Sequence, residues 1–212
     1  NELTARVRKC QETFSLFAKG DTLLPKLGIA EIPKQMAKQL PDDSIFLSEE
    51  VEKVEGSSLL TTHGEQWLGR AVVLATEEPV ANRILGIDGP NRAWNAVDCL
   101  YFSLPEKELP ATSPILHLDG SGMGPINNLT FLSTLSDCAP PGRALASASV
   151  IGKKEMGMDQ VVELANQQLR TWFGENIKKW DFLRSYRISH AVPSCDVVPH
   201  LETKKNGVYR CG

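Results

Sequence analysis

The chain has 212 residues, of which 42% are hydrophobic and 23% are charged, a composition typical of a globular protein with a sizeable core. The formal net charge is −3, so there is no basic excess to bind phosphate backbones, which argues against nucleic-acid binding. No apolar run approaches the roughly 20 residues that a transmembrane helix needs. The composition therefore favours a globular enzyme or binding module without a transmembrane segment.

The first part of the chain is predicted to be helical. Apolar residues favour one helix over Leu3–Ala18 and a second over Glu31–Leu40. Pro33 is tolerated in the first turn of the second helix, and Pro41 ends it.

A β-rich section follows these helices. Short strands are predicted at Ile45–Leu47 and Val51–Val54. Ser58–Thr62 and Trp67–Leu68, separated by a turn at His63-Gly64, resemble a hairpin. Together these segments predict a small β-meander attached to a larger sheet.

The stretch RAVVLATEEP, Arg70 to Pro79, is predicted to be the central strand of that sheet. Ala71–Ala75 is a continuous apolar run with β-branched members, which is typical of a strand buried on both faces. Ligands of open α/β sheets bind at the carboxyl ends of the strands, so a ligand is expected near Ala75–Pro79. A short helix, Val80–Leu85, is predicted to follow.

The second half of the chain predicts an antiparallel or mixed sheet with one long helix. Asp88-Gly89-Pro90-Asn91 is a strong turn signal and marks a candidate domain crossing. The long helix is Asp159–Phe173, which Gly174 ends. The predicted strands are Ala96–Leu104, Ile115–Leu118, Ile126–Leu132, Ala144–Ile151, Trp180–Ile188 and Gly207–Cys211.

Two sequence features resemble binding motifs but do not fit them. The glycine-rich stretch Gly120–Gly124 has its third glycine too early for GxGxxG, and a β-like segment follows where a helix would have to hold the phosphate. A tight turn is therefore predicted there. His190, Cys195 and His200 fit no common zinc spacing, so no metal site is predicted.

Arg184, Tyr186 and His190 have the same parity along a predicted strand. Side chains alternate between the two faces of a strand, so these three are expected on one face. That face could line a substrate cavity or form an edge in contact with solvent.

Four further stretches are informative when taken together: GDTLLPKLGIAEIPKQMAKQLPDDSIFLSEEVEKVE, VVLATEEPVANRIL, RSYRISHAVP and GVYRCG. They resemble the flavin-containing amine oxidase superfamily, whose relatives include protoporphyrinogen oxidases and carotenoid desaturases. The chain is especially similar to a plant and cyanobacterial branch, through its LYFS, GSGxG-x-x-NN and YRI-x-x-A-x-P segments. This resemblance covers nearly the whole chain and implies FAD as cofactor and a small organic substrate. It also implies an intracellular location, in the chloroplast.

The resemblance implies a mixed α/β (α+β) fold with an interleaved domain order. A partial FAD-binding domain, with a β-meander and a strand, is joined to a substrate domain with a mixed or antiparallel sheet and flanking helices. Residues 1–40 and 93–200 would form the substrate domain, and residues 41–92 part of the FAD-binding domain. Residues 201–212 would return to the latter as a strand.

The resemblance also implies site residues. Val51 would contact the adenine through its backbone, and the cofactor-binding set is Val51, Ala75, Thr76, Glu77 and Gly212. The substrate-pocket candidates are Arg184, Tyr186, His190, Asn127 and Asn128.

The chain also departs from the family pattern. It has no GxGxxG, and Asp98 stands at about the position where amine oxidases carry a lysine near the flavin. We therefore expect an interior piece of an FAD-dependent oxidoreductase, which moves a hydride between an organic substrate and flavin and is inactive alone. No catalytic residue is assigned. The alternative is a non-catalytic module, derived from the substrate domain, that binds a ligand or a partner protein.

Overall fold

The computed structural model describes residues 15, 19–20, 23–87, 93–152, 155–193, 204–205 and 207–211. The chain divides into two compact units that alternate along the sequence. Unit 1 contains residues 1–36 and 97–187, and unit 2 contains residues 37–96 and 188–212. The predicted helix Leu3–Ala18, apart from Ser15, and the predicted crossing at Asp88–Asn91 lie outside the described residues.

The expected mixed α/β fold is confirmed by helices and sheets along the described chain. Its α-helices are α1 (Glu31–Ala37), α2 (Glu78–Ile84) and α3 (Met158–Phe173). Its strands are β1 (Val51–Glu55), β2 (Ser58–Thr61), β3 (Gln66–Leu68), β4 (Val72–Leu74), β5 (Trp94–Pro105), β6 (Leu116–Leu118), β7 (Ile126–Phe131), β8 (Arg143–Ile151), β9 (Asp181–Pro193), β10 (Lys204–Lys205) and β11 (Val208–Arg210). Among the described helices, none has both the length and the apolar character needed to cross a membrane.

Unit 1 is built on a five-stranded sheet with the order β6-β7-β8-β5-β9. The β6/β7, β7/β8 and β5/β8 ladders are antiparallel. Alternate residues of β5 and β8 are buried, among them Leu100, Phe102 and Leu104, in one apolar cluster with residues of α3. Each fully buried Leu or Phe contributes about 1.5–3 kcal/mol, so this face of the sheet is the main core of the unit.

A buried glutamine fastens α3 to the sheet. The Gln168 Oε1 accepts a hydrogen bond from the Ile126 backbone N–H at 2.7 Å, and its Nε2 donates to the Ile126 carbonyl at 3.1 Å. Gly124 leaves room for this side chain, since a Cβ there would lie 2.2 Å from Gln168 Cδ. The glycine is therefore explained by close packing.

His117 belongs to an aromatic group at one end of the same sheet. Its ring packs edge-on against Phe131 at 5.5 Å and against Phe173 at 5.6 Å. Burial lowers the pKa of the imidazole because the charged form loses its hydration. The environment thus favours a neutral His117, in a packing role.

The described residues of unit 2 form two three-stranded sheets. The predicted meander is formed by the antiparallel strands β1, β2 and β3. The other sheet has the order β10-β11-β4, with β11 parallel to β4 and antiparallel to β10. The apolar cluster that joins these sheets to α2 consists of Val54, Leu74, Ala81, Ile84 and Val208.

Two local predictions differ from the structure. Ile45–Leu47 is not a strand, because Asp43 and Ser48 on either side have positive φ angles of 62° and 64° that interrupt extended backbone. β4 was expected to be central and buried on both faces. Among the described residues it pairs only with β11, at the end of its sheet, and Val73 is 59% exposed.

Candidate functional site

The carboxyl ends of β4 and β11 form a common edge in unit 2. The two strands are parallel, and the Cys211 backbone N–H donates to the Leu74 carbonyl at 3.0 Å, which continues the ladder beyond both strands. Ala75, Thr76 and Glu77 therefore leave the sheet beside Cys211. Gly212, the next predicted site residue, lies outside the described residues. Ligands of parallel sheets bind at such edges.

The hydroxyl of Thr76 is buried at this edge without a hydrogen-bond partner among the described residues. A buried polar atom without a partner costs about 1–3 kcal/mol, so most such groups are paired with protein or water. A threonine hydroxyl both donates and accepts hydrogen bonds. A polar ligand group bound at the edge would supply the missing hydrogen bond to the Thr76 hydroxyl.

Glu77 and His190 lie close together at the same edge. The Glu77 Oε2 is 3.7 Å from His190 Nδ1, and the His190 ring packs edge-on against Trp94 at 5.7 Å. The Glu77 side chain is 56% exposed, so its carboxylate is open to a ligand that donates O–H or N–H groups. The structure thus brings a predicted cofactor residue, Glu77, to a predicted substrate residue, His190.

Val51 and a cavity in unit 2 lie away from the Ala75–Glu77 edge. Val51 begins β1, is half-buried, and packs against the apolar cluster that contains Leu74. A cavity of about 320 Å³ lies where β11 begins, which is the opposite end from the Ala75–Glu77 edge. Its lining residues are Lys53, Val54, Glu55, Gly56, Leu85, Ile87 and Val208. The two charged side chains of this lining, Lys53 and Glu55, pair with each other.

A second candidate surface is the face of the unit 1 sheet opposite α3, which we call the open face. The cross-strand register places Asn128 opposite Ser149, and Ser149 opposite Cys99. In the neighbouring row, the register places Thr130 opposite Ser147, and Ser147 opposite Tyr101. All six of these side chains are half-buried. Asn127 is exposed, and its Oδ1 accepts a hydrogen bond from Asn128 Nδ2 at 3.1 Å.

Aromatic and cationic side chains from β9 extend the open face. The Tyr186 ring packs edge-on against Tyr101 at 6.0 Å, and the Arg184 guanidinium lies 5.3 Å from the centre of the Tyr186 ring. Arg184 and Tyr186 are therefore on one side of the strand, as their parity indicates. His190 belongs to the part of β9 in unit 2.

Asp98 and Arg187 form an ion pair on the other face of the sheet. Arg187 Nε is 2.7 Å from Asp98 Oδ1, and its terminal nitrogen is 2.8 Å from Oδ2. Asp98 is 3% exposed and Arg187 is 29% exposed. The carboxylate holds the pKa of the guanidinium above its ordinary value through this hydrogen bond. The Asp98 carboxylate is thus committed to Arg187.

Sequence reasoning missed this pair, although a signal was present. Asp98 has the parity of Ala96, Leu100 and Phe102, which are all buried, and a carboxylate among them requires a cation. The arginines of RSYRI were the available partners.

The glycine-rich turn binds an internal carboxylate. The Asp119 Oδ1 accepts hydrogen bonds from the Ser121 hydroxyl and backbone N–H, and Oδ2 accepts one from the Gly122 N–H. The hydroxyl contact and these amides lower the pKa of Asp119. Two amides that a phosphate would need are therefore occupied, in agreement with the predicted tight turn. The described residues contain no group of three or more His, Cys, Asp or Glu side chains placed to hold a metal ion.

Solved structures with similar folds belong to longer chains. Reduced UDP-galactopyranose mutase has a TM-score of 0.65 at 12% identity, over 88% of this chain and 45% of that one. An oxidoreductase from Methanosarcina mazei has a TM-score of 0.63 at 15% identity, over 77% of this chain and 43% of that one. Putrescine oxidase bound to putrescine has a TM-score of 0.60 at 14% identity, over 86% of this chain and 46% of that one. The chain spans less than half the length of each, and at these identities the likeness shows the fold.

Sequence comparison identifies the family. No curated protein matches the chain. The sequence profile described as flavin containing amine oxidoreductase matches residues 1–212, which is the whole chain. The chain belongs to the flavin containing amine oxidoreductase family.

Proposed function

We propose that this chain is part of an FAD-dependent oxidoreductase. Unit 2 would hold the adenosine half of FAD at the Ala75–Glu77 edge, and unit 1 would present the substrate surface. The observation that carries the proposal is the buried, unpartnered Thr76 hydroxyl at the carboxyl edge of two parallel strands, among the residues that the structure describes. The family match supports FAD as the cofactor.

The residues at this edge fit one half of the cofactor better than the other. The Thr76 hydroxyl and the Glu77 carboxylate suit the hydroxyl and amino groups of an adenosine, which donate hydrogen bonds. Glu77 and Glu78 would repel a pyrophosphate placed beside them. We therefore place Ala75, Thr76 and Glu77 at the adenosine, with Val51 on the neighbouring meander.

The pyrophosphate would have to be bound by groups outside this edge. Flavoproteins of this architecture use GxGxxG at a helix N-terminus for that purpose, and these 212 residues contain no such motif. We propose that the 212-residue chain binds FAD weakly and turns over no substrate alone. The bound flavin would supply the hydride chemistry, while the protein positions cofactor and substrate.

The domain assignment and the remaining site residues are part of this proposal. Residues 41–92 and 201–212 would belong to the FAD-binding part, and residues 1–40 and 93–200 to the substrate domain. Asn127, Asn128, Arg184, Tyr186 and His190 stay substrate-side candidates, and Gly212 stays a cofactor-side candidate. The family match favours the flavoenzyme over a non-catalytic module. The chloroplast location stays a prediction, which imaging of a fluorescent fusion would test.

The adenosine site can be tested with ADP and a variant of nearly unchanged shape. In Thr76→Val the hydroxyl becomes a methyl group, so ADP binding is expected to weaken roughly two- to tenfold, the equivalent of one hydrogen bond. Calorimetric titration of the chain with ADP measures this change. The matched control is Thr62→Val, because Thr62 is exposed and lies outside the edge.

Two results would contradict the proposal. Equal ADP affinity of the wild type and Thr76→Val would remove Thr76 from the adenosine site. A purified chain that is yellow, with a flavin absorbance spectrum, would refute the prediction of weak FAD binding.

A further inference from the structure

We propose that the open face of unit 1 receives a planar substrate that carries a carboxylate, and not the alkylammonium group of an amine. This inference rests on the proposed function, in which unit 1 presents the substrate surface. It adds Tyr101 to the earlier candidates and gives Arg184 a role in substrate specificity.

The charges on the open face support an anionic substrate. Arg143 and Arg184 bring cations to this side of the sheet, since the Arg143 Nε donates to Ser103 Oγ at 2.9 Å. Arg143 is neutralised by Asp181. Among the described residues, Arg184 has no carboxylate partner within ion-pair distance. Asp98, the acidic residue of β5, lies on the opposite face. The uncompensated charge is therefore positive.

The aromatic geometry supports a planar substrate. The Tyr101 and Tyr186 ring planes are inclined at 86°, so the edge of one ring meets the face of the other. Small side chains lie next to Tyr101, with Ser147 directly opposite it and Cys99 and Ser149 in the adjoining row. Planar molecules stack on tyrosine rings, and these small neighbours leave space beside them. A carboxylate on such a molecule would pair with Arg184.

The same geometry disfavours an amine. A substrate ammonium group is commonly held by carboxylates or by the faces of aromatic rings. One face of the Tyr186 ring is already covered by the Arg184 guanidinium, 5.3 Å from the ring centre. An ammonium group placed there would meet a like charge instead of a partner. The family name therefore does not extend to the chemistry of this surface.

A matched pair of probes tests the inference. 2-Naphthoate and 2-naphthylmethylammonium share the same ring system and differ in the sign of their charge. Binding to the wild-type chain is followed by NMR chemical shifts of the arginine side-chain and tyrosine resonances. We expect 2-naphthoate to bind roughly threefold more tightly, as for one partly exposed ion pair. Arg184→Gln should remove the preference, and Arg184→Lys should keep it.

Arg170→Gln is the matched control. Arg170 is an exposed cation on α3, which packs on the other face of the sheet, so this variant should keep the preference. Equal binding of the two probes, tighter binding of the ammonium probe, or no saturable binding of 2-naphthoate at millimolar concentration would overturn the inference. An equal loss of preference in Arg170→Gln would do the same.

The ADP titration of the Thr76 variants separates this inference from the proposed function. If ADP shows no dependence on Thr76 while the naphthoate preference still depends on Arg184, the adenosine site is wrong and the anion-selective face stands. If ADP behaves as expected and the naphthoate preference is absent, the substrate inference is wrong and the adenosine site stands.

Discussion

Replacing Asp98 by asparagine should destabilise unit 1 by removing the negative charge that neutralises Arg187. The bidentate contact, at 2.7 and 2.8 Å, loses its ionic character while the volume of the side chain is kept. Breaking a buried ion pair costs about 3–5 kcal/mol. Arg187 is 29% exposed, so water can partly hydrate the guanidinium. We therefore expect the free energy of unfolding to fall by about 2–3 kcal/mol.

Urea unfolding measures this change. Trp172 and Trp180 lie in unit 1 and Trp67 and Trp94 in unit 2, so tryptophan fluorescence follows the unfolding of both units. The far-UV circular dichroism transition should be recorded as well, since a free energy is defined only if both probes coincide. Glu31→Gln is the control, because its ion pair with Lys34 is exposed and should change stability by less than about 0.5 kcal/mol. If Asp98→Asn were as mild as this control, the pair would have no structural role.

Two further substitutions test the packing of unit 1. Gly124→Ala would displace Gln168 and leave the buried N–H and carbonyl of Ile126 unpaired. Urea unfolding should therefore show a loss of about 2–4 kcal/mol in the free energy of unfolding. Gly120→Ala is the control, because the space around its Cβ is open and stability should change little; equal effects of the two substitutions would contradict this reasoning. The pKa of His117 is lower in the folded protein than in the unfolded chain, so on acidification the imidazole of the unfolded chain is protonated first. The free energy of unfolding should therefore fall as the pH drops below about 6.5 towards the folded pKa. His117→Gln should reduce this fall between pH 7.5 and pH 5, and an unchanged pH dependence would refute the assignment.

The sheet of unit 1 was predictable because its information is local. In β5, alternate residues Leu100, Phe102 and Leu104 are apolar and buried, so the period of two reveals both the strand and its inner face. The period of α3 reveals the helix in the same way. What alternation does not contain is the partner across the sheet, and so the contact of Asp98 with Arg187, 89 positions away, was missed.

The errors in unit 2 have the same origin. The apolar residues of β4 correctly indicate a strand, yet Val73 is exposed. Burial depends on which segments pack against the strand, and the sequence of the strand alone does not contain that information. Ile45–Leu47 has strand-like composition, but Phe46 packs on Trp67 at a ring distance of 4.3 Å instead of joining a ladder. The candidate site residues Thr76 and Glu77 were named through a family resemblance. That the Thr76 hydroxyl has no hydrogen-bond partner among the described residues became visible only in three dimensions.

The pairing of β4 with β11 has a consequence for how the chain folds. Val72 meets Val208, so the second sheet of unit 2 joins segments that lie on either side of the unit 1 sheet in the sequence. Closing so long a loop is entropically costly, and contacts between distant segments form slowly. The hairpins of unit 1 and the meander can form while the chain is still being synthesised. The edge that carries Thr76 is completed only when residues 208–211 have emerged, so a ligand bound there would be captured after the unit 1 sheet has been synthesised.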